Sequence, residues 1–169
     1  MATIKFLNAK GKYSDPNALH DVISYICMDS KTPSNMIGGF KVNLQDIANS
    51  MNSVAIQYKK DHGVRLRHFV LSFFRNEVTT PDLANTVATQ ICAYIGRFYQ
   101  IAYAVHEDTQ VLHIHFVFNS VSYINGYKYH GDKEEYYDLL NNISTILHSV
   151  GINCLIPVKY HYDQIHYNE

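Results

Sequence analysis

Apolar and polar positions follow two periodicities along the chain, and each periodicity predicts a different kind of element. Apolar residues spaced by three and four predict amphipathic helices, and alternating positions predict strands. The first predicted helix begins at 16 and ends before Lys31, and three further helices are predicted over 44–60, 81 to about 99, and 132–149. The predicted strands cover 2–8, 65–74, 100–106, 111–121 and 127–130, and residues 30–42 are predicted to be loop. Strands and helices mix without regular alternation, which indicates an α+β fold: a single, mostly antiparallel sheet with helices on one face.

Local signals fix several of the predicted boundaries. Asp15-Pro16 and Thr80-Pro81 suit the N-cap and first position of a helix. Gly151 suits the residue that follows a helix. The short polar stretch 107–110 predicts an antiparallel hairpin between its flanking strands, and Asn125-Gly126 predicts another. The second helix should bury one apolar stripe, made of Leu44, Ile47, Met51, Val54 and Tyr58.

Composition narrows the class of protein and raises a question of chemistry. The 169 residues suit one domain over 1–169, and 47% hydrophobic with 17% charged residues argues against disorder. No apolar run is long enough to span a bilayer, and the first residues lack the apolar core of a secretory signal. The three scattered cysteines predict reduced thiols in a cytoplasmic protein. The chain is rich in Tyr (14) and His (10), which supply phenol nucleophiles and metal ligands.

Three of the histidines are spaced so that they can converge. In a strand, His113 and His115 share one face with Asn119, whereas the intervening residues of the other face are all apolar. The predicted hairpin brings His106 beside His113. Three imidazoles can hold a metal ion and leave positions open for water or substrate. Asp108 and Asn119 are candidates for the surrounding shell that orients the ligands. The alternative is a half-exposed strand that carries unrelated histidines.

The run H-x-D-x4-H-x-H-x3-N, from His106 to Asn119, resembles the three-His motif of the conjugative relaxases. These mobilisation nucleases belong to the HUH endonuclease superfamily, named for two His around a bulky apolar residue, here Ile114. Further motifs follow the family order over residues 20 to about 155. They are Tyr25-Ile26 with Lys31-Thr32, His68 to Phe73 with Glu77 and Thr80-Pro81, Asn119 to Ser122, and Gly126 with Lys128 and His130.

The resemblance implies an HUH-relaxase-like fold and a metal-dependent DNA strand transferase. Such enzymes nick and rejoin one strand of supercoiled plasmid or transposon DNA at an origin of transfer. Tyr25 would attack the phosphodiester and give a 5′-phosphotyrosine. His106, His113 and His115 would hold Mg²⁺ or Mn²⁺ by analogy, although three imidazoles also suit Zn²⁺ or Ni²⁺. The resemblance also implies a bacterial mobile element, single-stranded origin DNA as ligand and accessory relaxosome proteins as partners. Relaxases ordinarily continue into a C-terminal region, and we expect 1–169 to correspond to the nicking domain without it.

The DNA-binding surface is predicted from individual side chains. The candidates for contact with DNA are Lys31, Arg65, Arg67, Ser72, Lys128 and His130. A net charge of −1 departs from what a nicking domain needs, so the positive charge must be focused locally or the affinity must come from elsewhere.

Other interpretations of the sequence remain open. In rolling-circle replication initiators the nucleophile follows the HUH motif, which would make Tyr136-Tyr137 the candidates. A metal-dependent hydrolase of the cupin kind would use the same histidines on a small molecule and would not need Tyr25. A catalytically silent origin-binding module would bind DNA without the histidines.

Overall fold

A computed structural model describes residues 1–8, 11–74, 80–107 and 109–156 of the chain. In order, the strands and helices are β1 (Ala2–Leu7), α1 (Ala18–Ile26), β2 (Ile37–Phe40), α2 (Ile47–Gln57), β3 (Leu66–Phe73), α3 (Pro81–Ile95), β4 (Ile101–His106), β5 (His113–Asn119), α4 (Lys133–Ser149) and β6 (Cys154–Leu155). No helix in these described ranges is long and apolar enough to cross a membrane.

One six-stranded sheet organises the molecule, with the strand order β2-β4-β5-β3-β1-β6. All neighbouring strands are antiparallel except β1 and β6. β4 and β5 form the predicted hairpin, and β5 lies between β4 and β3. The predicted α+β class with a single, mostly antiparallel sheet is confirmed.

Helices cover both faces of the sheet, so the prediction that they lie on one face is wrong. α3 and α4 pack on the face that carries Phe69, Ile114 and Phe116. α1 and α2 pack on the opposite face, against small residues such as Ala102 and Val117. The apolar stripe of α1 is stable only when it is removed from water. The second face of the sheet carries the histidines, but it also has small apolar residues at one end, and α1 buries its stripe against them.

Two helices are shorter at their start than their patterns predict. α1 begins at Ala18, because Asp15 accepts a hydrogen bond from the backbone N–H of Asn17 and forms a turn there. α2 begins at Ile47, which leaves Leu44 outside the helix and about half exposed. By contrast, Thr80 caps α3 as predicted, and its side chain accepts from the N–H of Leu83.

The edges of the sheet differ most from the predictions. β2 lies inside the predicted loop 30–42, and the two-residue β6 follows the last helix. The predicted strand 127–130 is reduced to one isolated bridge between Val121 and Lys128. Edge strands pair on one side only and carry little alternation, so periodicity is a weak signal for them.

The three cysteines are unpaired, as predicted. Burial raises the pKa of the Cys27 and Cys154 thiols to about 11. Both thiols are therefore protonated, and weak nucleophiles, at neutral pH.

Candidate active site

The structure brings His106, His113 and His115 together on one face of the sheet. His106 pairs directly with His113 across the β4–β5 hairpin, and His115 follows two residues along β5. Each side chain offers one ring nitrogen, and these three atoms lie within 4.8 Å of one another. His106 and His115 are buried, whereas His113 is half-buried and borders the open side of the cluster.

Backbone carbonyls fix the tautomers of two of these histidines. The Nε2–H of His106 donates to the carbonyl of Ile26 over 2.7 Å, so its Nδ1 carries the lone pair. The Nδ1–H of His113 donates to the carbonyl of Val111 over 3.0 Å, so its Nε2 carries the lone pair. Metal-binding histidines are ordinarily oriented in this way through the nitrogen that does not bind the metal.

His115 is oriented by another imidazole instead of a carbonyl. Its Nδ1 lies 2.8 Å from Nε2 of His68, and the Nδ1 of His68 lies 3.1 Å from the hydroxyl of Tyr13. All three side chains are buried. Burial, with the nearby charges of Lys12 and His106, lowers the pKa of His68 to about 4. Burial, with the surrounding histidines and Lys31, lowers the pKa of His115 to about 2.

These residues fit a divalent cation. The lowered pKa keeps His115 neutral at neutral pH, and a neutral imidazole has the lone pair that a metal needs. The hydrogen bonds of His106 and His113 orient each ring, and each residue offers one ring nitrogen to the cluster. The half-buried edge at His113 is the side from which a substrate can approach.

Tyr25 lies beside this cluster, in the last turn of α1. Its ring meets the His115 ring edge-on, with 5.9 Å between centroids, and 46% of the residue is exposed. The ammonium group of Lys31 lies 4.9 Å from the centroid of the Tyr25 ring. Because the next residue, Ile26, accepts the hydrogen bond of His106, the end of α1 is tied directly to the histidine cluster.

Ser72 also lies at the cluster, since it pairs with His113 across β3 and β5 on the same face of the sheet. Asn119, in contrast, lies at the far end of β5. Its amide donates to the carbonyl of Met51 and to Gln100, and its oxygen accepts from the N–H of Val121. The structure therefore does not bring Asn119 to the histidines. Asp108 lies outside the described residues.

The remaining DNA-binding candidates gather at the other end of the sheet. Arg67 is five residues along β3 from Ser72, which is roughly 17 Å in a strand. It donates to the carbonyls of Tyr129 and His130, and Lys128 donates to the carbonyl of His62. Burial and the charges of Arg65, Arg67 and Lys60 lower the pKa of Lys128. Positive charge is thus concentrated at this end, although the net charge of the chain is −1.

The rival nucleophiles lie elsewhere. Tyr136 is buried on α4, where its ring packs edge-on against Phe6 at 5.2 Å. Phe6 pairs with Phe69, on the face of the sheet opposite the histidines. The sheet itself therefore separates Tyr136 from the three-His cluster.

Sequence reasoning did not single out Tyr13 or the Ile26 carbonyl. Tyr13 is one of 14 tyrosines and is 55 residues from His68, so no local pattern links the two. A backbone carbonyl has no sequence signature at all. The available signal was His68 itself, a buried histidine in a strand of mostly apolar residues.

Comparison with known proteins identifies the family of the chain. A family model described as "Relaxase: MobA/VirD2-like, nuclease domain" matches residues 25–151, which is about three quarters of the chain. The chain is also similar to "Protein rlx" of Staphylococcus aureus, with 29% identity over 104 residues. That match covers 60% of this chain and 31% of the relative, so the chain spans about a third of that protein's length. The match to the family model begins at Tyr25 and includes all three clustered histidines, and the chain therefore belongs to the MobA/VirD2-like relaxase nuclease-domain family, whose members are DNA endonucleases.

Proposed function

We propose that this domain nicks one DNA strand at an origin of transfer and rejoins it through a covalent link between Tyr25 and a 5′ phosphate. The observation that carries the proposal is the Tyr25 ring beside His115 in a chain of the relaxase family. The phenol is half exposed, so a phosphodiester can reach it from solvent while the imidazoles lie next to it.

The step is a displacement at phosphorus. A bond forms between Tyr25 Oη and phosphorus, and the bond between phosphorus and the 3′ oxygen breaks. The phenolic proton leaves, and the 3′ oxygen takes up a proton to give a free 3′ hydroxyl. Because the phosphotyrosine conserves the energy of the broken bond, a 3′ hydroxyl can attack it and rejoin the strand.

His106, His113 and His115 would hold the cation in this scheme. When bound, a divalent cation would polarise the phosphate and stabilise the negative charge that develops on its oxygens. Family resemblance favours Mg²⁺ or Mn²⁺, and the three imidazoles equally suit Zn²⁺ or Ni²⁺. Because all three ligands are neutral, they would leave the charge of the cation available to the phosphate.

Lys31 and Ser72 would position the DNA at this site. The Lys31 ammonium, next to the Tyr25 ring, would contact a phosphate oxygen, and the Ser72 hydroxyl opposite His113 would donate to another. Arg65, Lys128 and His130 would contact phosphates farther along the DNA, at the basic end of the sheet. Arg67 would add its charge there, although its pairing with Phe118 puts its side chain on the face of the sheet opposite the histidines. Supercoiled plasmid DNA and accessory relaxosome proteins are the proposed partners.

The proposal is tested by covalent capture. The protein is incubated with Mn²⁺ and single-stranded oligonucleotides that contain a randomised central region, and adducts that resist denaturation are isolated and sequenced. We expect the attached fragments to share one sequence at their 5′ end, and we expect no adduct after chelation with EDTA. DNA binding without an adduct would favour the origin-binding module, and neither binding nor an adduct would favour the hydrolase.

The nucleophile is identified by variants of matched chemistry. Tyr25→Phe removes only the hydroxyl, so we expect it to abolish the adduct and to leave the metal affinity unchanged. The double variant Tyr136→Phe/Tyr137→Phe should form the adduct at the rate of the original chain, since α4 packs on the opposite face of the sheet. An adduct with Tyr25→Phe that is missing from the double variant would show that the assignment of Tyr25 is wrong.

A further inference from the structure

We propose that His68, held by Tyr13, is the positioning residue that sets His115 in its metal-binding tautomer. The proposal rests on the cation site of the proposed function and extends it beyond the three ligands. It assigns roles to a histidine and a tyrosine that do not themselves touch the substrate.

Hydrogen-bond geometry carries the first step of the argument. The Nδ1 atom of His115 lies 2.8 Å from the Nε2 atom of His68, so only the Nε2 atom of His115 can face a cation. A neutral imidazole that binds a metal through Nε2 keeps its proton on Nδ1. This proton must be donated to Nε2 of His68, which then has to be the unprotonated nitrogen of the His68 ring.

The second step concerns Tyr13. With its Nε2 as acceptor, neutral His68 carries its proton on Nδ1, which lies 3.1 Å from the Tyr13 hydroxyl. The oxygen of Tyr13 accepts this proton in a hydrogen bond. In the reverse arrangement the phenol donates to Nδ1, and His68 then donates its Nε2–H to His115. His115 would then hold its proton on Nε2 and could not bind a cation there.

Burial makes the choice between the two arrangements consequential. Tyr13, His68 and His115 expose 7%, 4% and 6% of their surface, so water cannot easily replace a missing partner. In the metal-binding arrangement each ring carries one proton, and the hydrogen bonds run from His115 to His68 and from His68 to Tyr13. Neutral His68, where a carboxylate often stands in such sites, also adds no negative charge to the cluster.

The first test reads the tautomer directly. We expect long-range ¹H–¹⁵N NMR spectra of the Zn²⁺-loaded protein to show a protonated Nδ1 and an unprotonated Nε2 on His68. Zn²⁺ is chosen because it is diamagnetic and suits three imidazole ligands. A protonated Nε2 on His68 in the loaded protein would overturn the inference, and this readout needs no variant that might fail to fold.

The second test compares variants that keep or lose the acceptor. His68→Gln places an amide oxygen near the original Nε2, and we expect its Zn²⁺ dissociation constant to stay within about threefold of the original. The shorter side chain of His68→Asn can reach the Tyr13 hydroxyl but not His115, so His115 loses its hydrogen-bond acceptor. We expect the Zn²⁺ affinity of this variant to fall by roughly 10- to 100-fold, as when a metal ligand loses its outer hydrogen bond. Tyr13→Phe should cause a smaller loss, of about threefold, because His115 keeps its acceptor. His20→Asn, on an exposed histidine, is the matched control.

The outcomes separate this inference from the proposed function. If the original chain binds Zn²⁺ and His68→Asn binds it equally well, the positioning role is wrong and the three-His site stands. If the original chain binds no divalent cation, the site and the positioning role both fall. Weak binding by His68→Asn that His68→Gln restores supports the inference, because general damage to the core would weaken both variants.

Discussion

At the scale of single residues, the site depends on which nitrogen of each imidazole carries a proton. Ile26 and Val111 settle this for His106 and His113 through their carbonyls, and His68 is proposed to settle it for His115. The ligands differ in burial, since His106 is enclosed and His113 is partly open to solvent. Removal of His106 should therefore change the free energy of unfolding by a different amount than removal of His113.

His106→Ala and His113→Ala test this difference. Both variants should lose Zn²⁺ binding. In EDTA, His113→Ala should change the free energy of unfolding by only about 0.5 kcal/mol, as is usual near a surface. His106→Ala should cost about 1–3 kcal/mol, because it leaves the buried Ile26 carbonyl without its donor. Urea unfolding measures both values. An equal loss of unfolding free energy in the two variants would contradict the hydrogen bond assigned between His106 and the Ile26 carbonyl.

At the scale of elements, three neighbouring strands and the end of one helix build the site. The β4–β5 hairpin aligns His106 with His113, β3 supplies His68 and Ser72, and the last turn of α1 supplies Tyr25. The edge strand β2 pairs with β4 and extends this sheet, and its two glycines allow the close approach of the two strands. A Cβ on Gly39 would lie 2.5 Å from the carbonyl oxygen of Ile101, which is closer than the two atoms can approach.

Gly39→Ala should therefore weaken the edge of the sheet. We expect the free energy of unfolding to fall by about 1–3 kcal/mol, since the clash is with backbone and can be relieved only if β2 moves from β4. Thermal and urea unfolding measure the loss, and Asn35→Ala, at an exposed position just before β2, serves as the control. A Gly39→Ala protein as stable as the control would show that β2 does not pack this closely.

At the scale of the whole molecule, helices on both sides of the sheet enclose two buried imidazoles that lie close together. Burial lowers the pKa of His68 to about 4 and that of His115 to about 2, against about 6.5 for an imidazole in an unfolded chain. Below pH 6.5 the unfolded chain therefore binds protons that the folded protein does not. Stability from these groups is complete above that pH and declines as the pH falls toward the folded values.

The metal-free protein should accordingly lose stability in mild acid. Between pH 6.5 and 4.5, each of these groups should lower the free energy of unfolding by roughly 1 kcal/mol per pH unit. Urea unfolding in EDTA over this range gives the slope. His68→Gln removes one of the two titrating imidazoles, so the loss of stability per pH unit should be smaller in this variant. An identical slope for His68→Gln would contradict the lowered pKa of His68.

The main elements could be predicted because their signals are local. Alternation along β5 placed the apolar residues Ile114, Phe116 and Phe118 on one face and the two histidines on the other, and the structure agrees. The hairpin prediction was enough to bring His106 to His113. Asn119 shares their strand face and was expected near them, yet it lies at the far end of β5 because a shared face says nothing about distance along it.

The sequence alone therefore determined the α+β class, the hairpin and its three-His cluster, since each depends on the order of residues within a short stretch. Only the tertiary structure decided that helices cover both faces, that Tyr25 rather than Tyr136 lies beside the histidines, and that Tyr13 and His68 stand behind His115. The physical reason is the range of the interactions. Strand and helix periodicities act over a few residues, whereas these contacts join segments tens of residues apart, and only the packing of the complete sheet and its helices brings them together.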